Sequence, residues 1–565
     1  MGTGALLLPF IFGFVQVALG SEPRRIGWSS KTYGPDGPWQ AVSIGIGTPP
    51  QPVAAYPAGA WQSVLLTSEI CSNPDLGSTC FGKEAGLYDI NSSTTAVTTS
   101  LNVVKNGPIT DTVAGDSTFT FDAITLDGVF PQPDYIVPNH SIITVERGYR
   151  TLPNGTKYAI EVGTLSLGAE DSVQVWGDIT GHETVNYLAD QGTTPSNSYG
   201  LHIGSAALRI PGSLFFGGYD QFRVVGPVSV QARGSSDCNV DLLDIGIGVA
   251  TGGSPFNFTS KPGLLAEGNS SLSPSISVEI DGSDPYLYLP GSACRAIAAN
   301  LPVTYSSDLG LYLWNTQDPQ YRSIVTSPAF LGFTFRMNSS TTQNFTINVP
   351  FMLLNLTLDT PLAQKPTPYF PCSPTPSKYL LGRAFLQAAF LGVNWQHNDT
   401  GPWFLAQAPG PNIASDPQVV TIAPQDAYLA SSGASWADTW KDIWTPIEIE
   451  AAQPTTPTPT APPTPQSSST GSPVGAIAGV AVTAVVALIV AIVGVYFYIR
   501  RKYKRAAAAK GRGDTTAVKA EHDKSVAQQK AAQETVRPAE LEYVQKPGEL
   551  AWQRDPVELH GSERF

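Results

Sequence analysis

Trp39-Gln40-Ala41-Val42-Ser43-Ile44-Gly45-Ile46-Gly47-Thr48-Pro49-Pro50-Gln51 leads, two residues later, into Ala54-Ala55-Tyr56-Pro57-Ala58-Gly59-Ala60. Gly45-Ile46-Gly47 reads as a β-turn device and not as a phosphate cradle. No Asp or Glu occurs between Pro49 and Thr67. The 565-residue chain carries 53 Gly and 48 Pro with only 14% charged residues, a composition that favours turns and strands over long surface helices. Runs such as Ser117-Thr118-Phe119-Thr120-Phe121 and Tyr286-Leu287-Tyr288-Leu289 are short, β-branched or aromatic, and bounded by turn residues. An all-β architecture is expected.

The first phrase resembles the N-terminal hairpin of the pepsin-like aspartic endopeptidases, peptidase family A1. In that family the hairpin leads into a strand ending hydrophobic-Asp-Thr-Gly-Ser, whose aspartate is half of the catalytic pair; here that position reads Pro57. Glu279-Ile280-Asp281-Gly282-Ser283-Asp284-Pro285-Tyr286-Leu287-Tyr288-Leu289-Pro290 is similar to the second active-site strand and the segment after it. Tyr379-Leu380-Leu381-Gly382-Arg383-Ala384-Phe385-Leu386 and Phe390-Leu391-Gly392-Val393-Asn394 resemble the hydrophobic-hydrophobic-Gly element of the C-terminal lobe, with a weaker N-lobe counterpart at Leu165-Ser166-Leu167-Gly168. Ser213-Leu214-Phe215-Phe216-Gly217-Gly218-Tyr219-Asp220 is similar to the strand that joins the lobes. The order and spacing of these phrases imply a bilobal pepsin-like fold with an interlobe cleft, its N-terminal lobe over residues 37–225 and its C-terminal lobe over 226–408.

The family's chemistry uses water held between two close carboxylates that share one proton, one acting as base and the other serving the carbonyl oxygen. A single carboxylate cannot hold both protonation roles. Asp281 aligns with the second aspartate, and its partner position, Pro57, has no carboxylate. The threonine expected after each aspartate is replaced by Ala58 and Gly282, and the following serine by Ala60. The stretch matching the family's flap, Val103 to Thr110, lacks the usual tyrosine and puts Val104 in its place. Only about 18 residues separate the expected leader from Trp39, too few for the family's cleft-blocking prosegment. Asp284, three residues beyond Asp281, is near enough in sequence for a rearranged acid pair, while Asp281 alone is read as a turn-stabilising residue.

Cysteines and surface signals add detail. The resemblance implies disulfides Cys71–Cys80 and Cys294–Cys372, which leaves Cys238 either as a buried thiol or for an intermolecular bond. Asn-X-Ser/Thr sequons stand at Asn91, Asn139, Asn154, Asn257, Asn269, Asn338, Asn344, Asn355 and Asn398. The six histidines lack metal-ligand spacing, and no Gly-X-Ser-X-Gly elbow is present, so neither a metal nor a cofactor is expected. Trp436, Trp440 and Trp444 recur every fourth residue, a helical spacing that suits packing against the β domain or contact with a membrane or partner.

The ends of the chain point to an export route. Residues 1–20 read as a signal peptide closing on Ala18-Leu19-Gly20. Residues 21–36 form a short extension and 409–453 a segment beside the lobes. Residues 454–473 are a Pro/Thr/Ser-rich stalk suited to O-glycosylation. Val474 to Ile499 is a 26-residue run without a charge, where about 20 residues span a bilayer. Arg500-Arg501-Lys502-Tyr503-Lys504-Arg505 follows at once, so residues 500–565 are expected in the cytoplasm. The net charge of −13 divides into −17 through residue 499 and +4 beyond it. An acidic outer part disfavours nucleic acid as a partner and suits an acidic medium.

These readings describe a degenerate, fungal-type, membrane-anchored family member: a type I single-pass glycoprotein at the plasma membrane or cell surface. It is expected to bind an extended peptide, protein or wall ligand in its cleft without cutting it. An active acid endopeptidase and a structural or adhesion ectodomain are the alternatives.

Overall fold

The computed structural model describes residues 21–72, 80–98, 104–110, 112–126, 135–168, 173–176, 178–232, 238–338, 340–396 and 401–448. The expected signal peptide, stalk, membrane span and tail lie outside these residues, as do Val103 and Asn398. Among the described residues no helix is long and apolar enough to cross a membrane.

Strands dominate, as the glycine- and proline-rich, charge-poor sequence leads one to expect. Among the described residues, a twelve-stranded sheet is built wholly from residues 28–182, and an eight-stranded and a four-stranded sheet are built from residues 239–381. These are two β lobes. A six-stranded sheet takes strands from both halves: Arg24–Arg25, Ser198–His202, Ser213–Phe216, Val225–Ala232, Ala389–Asn394 and Pro402–Gln407. The link between the halves is made by Ser198–His202, which pairs with Ala389–Asn394, whereas Ser213–Phe216, the strand expected to join the lobes, lies between Arg24–Arg25 and Ser198–His202 of its own half.

Each lobe contains the same three-strand unit. In the first, strand Gln51–Ala58 runs parallel to Gly163–Ser166, pairing Pro57 with Leu165, and Gly163–Ser166 is antiparallel to Ser63–Leu66. In the second, Ile276–Ile280 runs parallel to Leu380–Leu381, which is antiparallel to Leu287–Pro290. A strand wedged between two others forces the chain joining the outer pair to cross over it. That crossing loop holds Gly59 to Gln62 in one lobe and Asp281 to Tyr286 in the other. Residues Val53 to Ala58 are all buried, as a central strand requires, and Pro57 lies beyond Ala55, where pairing with strand Trp39–Ile46 ends. Gly168 and Gly382 permit the crossing, since a Cβ at either would stand 2.2 Å from the carbonyl oxygen of Gly59 or Asp284 respectively.

Both expected disulfides, Cys71–Cys80 and Cys294–Cys372, are present. Cys238 is buried and belongs to neither.

The tryptophan triplet packs back onto the C-terminal lobe, but not as a helical face. Only a short 3-10 turn, Ala437–Trp440, forms, and Asp442 then adopts φ 63°, a left-handed conformation that ends any helix. The indoles of Trp440 and Trp444 stack at 5.1 Å, Trp444 meets Trp436 edge-on at 5.3 Å, and Trp436 meets Phe330 edge-on at 5.7 Å. Ile447 then bridges to Gly253. Trp440 is 1% exposed, so Trp440→Ala leaves a large void and is expected to cost roughly 3–5 kcal/mol of stability. The check is the urea midpoint, which should fall; an unchanged midpoint would mean that this segment does not belong to the folded core.

Candidate functional site

The two crossing loops meet back to back. Gly59 N–H donates to Asp281 Oδ1 at 2.8 Å across the lobes, and the Ser283 hydroxyl donates to Asp281 Oδ2. A Cβ on Gly282 would stand 2.4 Å from the Pro57 carbonyl oxygen. The missing threonine at position 282 is therefore a requirement of this packing, since any side chain there would drive the loops apart. Asp281 is 9% exposed; burial raises its pKa, Ser283 and Gly59 oppose the shift, and the Asp284 charge adds to it.

Asp284 faces the other way in its bonding. Its Oδ1 accepts from Thr112 Oγ1 at 2.6 Å and from Arg150 Nη1 at 2.6 Å, and Arg150 also donates to Thr112 Oγ1. Thr112 lies just beyond the hairpin strand Val104–Pro108, and Arg150 lies in Ile136–Thr151, so this is an ion-paired bridge from the N-terminal lobe to the C-terminal one. Both charges are largely buried, at 16% and 5% side-chain exposure. Val104 pairs with Ser117 in that hairpin, and no tyrosine stands in the described part of it.

Beneath the loops lies a set of charges. Arg383 Nη1 donates to the Gly282 and Ser283 carbonyls at 2.9 and 2.8 Å, and its guanidinium lies 3.9 Å from the centre of the Tyr56 ring and 5.1 Å from that of Trp39. Trp39 Nε1 donates to Asp36 Oδ1 at 2.7 Å, and the Tyr369 hydroxyl donates to the Asp36 carbonyl at 2.6 Å. Glu161 joins this set with its Oε1 shut from solvent and without a hydrogen-bond partner. Its burial, and then the Asp36 charge, push its carboxyl up to about 8.

Two cavities flank the bridge. One of about 420 Å³ has Asp281, Trp61, Trp395 and Ile109 among its walls. The other, of about 670 Å³, is lined by Tyr149, Tyr158, Tyr286, Tyr288 and Tyr305. Pro108 and Thr110 wall both. Asp284 lines the first, while its partners Thr112 and Arg150 line the second, so the bridge is the partition between them. Lys378 and Glu279, also in the first cavity, pair with each other at 2.8 Å.

Sequence reasoning singled out Asp281 and Pro57, and the structure brings their two loops together, Gly59 against Asp281 and the Pro57 carbonyl against Gly282. It missed Arg150, Thr112, Glu161, Asp36 and Arg383. Arg383 carried a signal, a charge directly after the apolar Leu380-Leu381-Gly382 run; the others carried none. Ser63 Oγ and His140 Nε2 lie 2.8 Å apart, but both residues are wholly buried, so this pair cannot meet a substrate. The sequon asparagines 91, 154, 257 and 344 are exposed, and 139, 269, 338 and 355 are half-buried.

Among solved structures, the crystal structure of an aspartic proteinase from Irpex lacteus is similar at TM-score 0.44 and 15% identity, over 68% of this chain and 97% of that one. No protein-family model and no curated protein matches the chain.

Buried titratable groups give a stability profile with a definite sign. Burial raises Glu161 and Glu183 to about 8 from 4.5, so the folded state binds more protons between these values and stability falls as pH rises through that window. Burial lowers His140 to about 4 and His202 to about 3 from 6.5, so the unfolded state binds more protons there and stability falls as pH drops below about 6.5. The thermal midpoint of the full chain is expected to be highest between about pH 4.5 and 6.5, with Glu161→Gln flattening the alkaline limb. A midpoint that climbs steadily to pH 8 would contradict the assignment. Gly282→Thr should lower the midpoint at every pH, while Gly282→Ala does so less.

Proposed function

We propose that this chain is a degenerate member of the pepsin-like family that holds a peptide or protein ligand between its lobes without hydrolysing it. One observation carries the reading. At the meeting of the crossing loops, Asp281 faces the Pro57–Gly59 segment, which offers it the Gly59 amide and no carboxylate. A shared-proton mechanism needs two carboxylates facing one water. The other acids of the cavity are committed elsewhere, Asp284 to Arg150 and Glu279 to Lys378.

A second reading is an acid endopeptidase that pairs Asp281 with Asp284. One observation favours it: the two line the same cavity, and Asp284 adds to the upward shift that burial imposes on Asp281. The partners held on Asp284 weigh against it, because its Oδ1 is already occupied by Arg150 and Thr112 of the facing lobe.

The same proposal sets the two lobes outside the cell on a single membrane anchor. Its supports are the uncharged run from Val474 to Ile499, the basic cluster after it, and the accessibility of all eight described sequon asparagines.

The test is incubation of the full chain, purified in mild detergent, with a peptide library at pH 4 and pH 7, followed by mass spectrometry. The library is expected to return uncut, with a subset of peptides co-purifying intact. Cleavage that disappears in Asp281→Asn would replace this reading with the second one.

A further inference from the structure

The partition changes what the cleft can hold. A ligand lying in the Asp281 cavity meets the Arg150–Asp284–Thr112 bridge at one side, so an extended chain cannot run on into the tyrosine-lined cavity while the bridge stands. The first cavity is therefore closed where a peptide would otherwise continue, and it is suited to the end of a chain.

Charge decides which end. Four charged side chains line this cavity, and three of them are neutralised by ion pairs: Lys378 with Glu279, and Asp284 with Arg150. Asp281 is the fourth. Among the described residues it makes no ion pair, and its two hydrogen bonds come from a neutral amide and a neutral hydroxyl. A buried carboxylate without a cation is a standing cost that a ligand's positive charge would relieve. The adjoining walls, Trp61, Trp395, Ile109 and Pro108, offer aromatic and apolar surface for the first side chains behind that charge, and indole faces also attract cations. A C-terminal carboxylate would be repelled by Asp281, and Lys378, the cation in this cavity, is already paired with Glu279.

Resting on the proposed ligand-binding reading, we infer that the Asp281 cavity is a receptor for the free N-terminus of a peptide or protein, its α-ammonium set against the Asp281 carboxylate and its chain leading outward, away from the bridge. The site makes and breaks no covalent bond.

The experiment uses the full chain in mild detergent at pH 7 and isothermal titration calorimetry. The probes are a mixed hexapeptide library with free N-termini, the same library N-acetylated, and an N-acetylated library with lysine at its second position. Free N-termini are expected to bind roughly ten- to a hundredfold more tightly than acetylated ones, the scale of a hydrogen bond to a charged group. Asp281→Asn, which keeps an acceptor for the Gly59 amide, is expected to abolish that difference. Equal binding of free and acetylated peptides by the unaltered chain would overturn end recognition while leaving cleft binding intact. Acetylated lysine peptides matching free N-termini would also overturn it, in favour of side-chain amines. Failure of every library to bind would overturn the cleft reading as well.

Discussion

The Gly59 amide on the Asp281 carboxylate is the contact on which the rest of the site depends. It can form only because the Pro57 carbonyl passes over a residue with no side chain, Gly282, at a distance that a Cβ would not survive. Once the loops meet this closely, Asp281 is largely buried, with one oxygen held by the opposite lobe and the other by its own loop. A carboxylate used in this way joins the lobes. Across the loops it meets the Pro57–Gly59 segment and no second carboxylate with which to share a proton.

The same closeness organises the surroundings. Arg383 grips the carbonyls on either side of the Gly282–Ser283 bond and presses its guanidinium on the Tyr56 ring, so one cation steadies both lobes at once. Asp284, at the end of the same loop, takes Arg150 and Thr112 from the facing lobe and pins the hairpin side of the cleft. Glu161 lies nearby with its Oε1 shut from solvent and without a hydrogen-bond partner. The arrangement is a rigid floor with a partitioned roof, and both features limit what can enter more than they promote reaction.

Much of the architecture was legible because local chemistry dictates it. Turn glycines and prolines and short β-branched runs made an all-β chain legible from the residues themselves, while the two lobes and both disulfide pairs came from the family resemblance. The emptiness at Pro57 was legible too, since no acid lies anywhere near it in sequence. Position 282 was read as the loss of a threonine, whereas the packing gives glycine a role of its own. The bridge was invisible because Arg150 and Asp284 are 134 positions apart and Arg150 sits in no distinctive phrase. Nor could tryptophans at every fourth position reveal that Asp442 would turn left-handed and replace a helix with a folded-back strap.

Whether the site contains one acting acid or a coupled pair is most directly answered by following the Asp281 carboxyl itself with carbon-13 NMR on aspartate-labelled protein, assigned by comparison with Asp281→Asn. The account predicts a single titration step for this carboxyl, displaced above the ordinary aspartate range by burial. Two coupled steps, the mark of a proton shared with a second carboxylate, would contradict it.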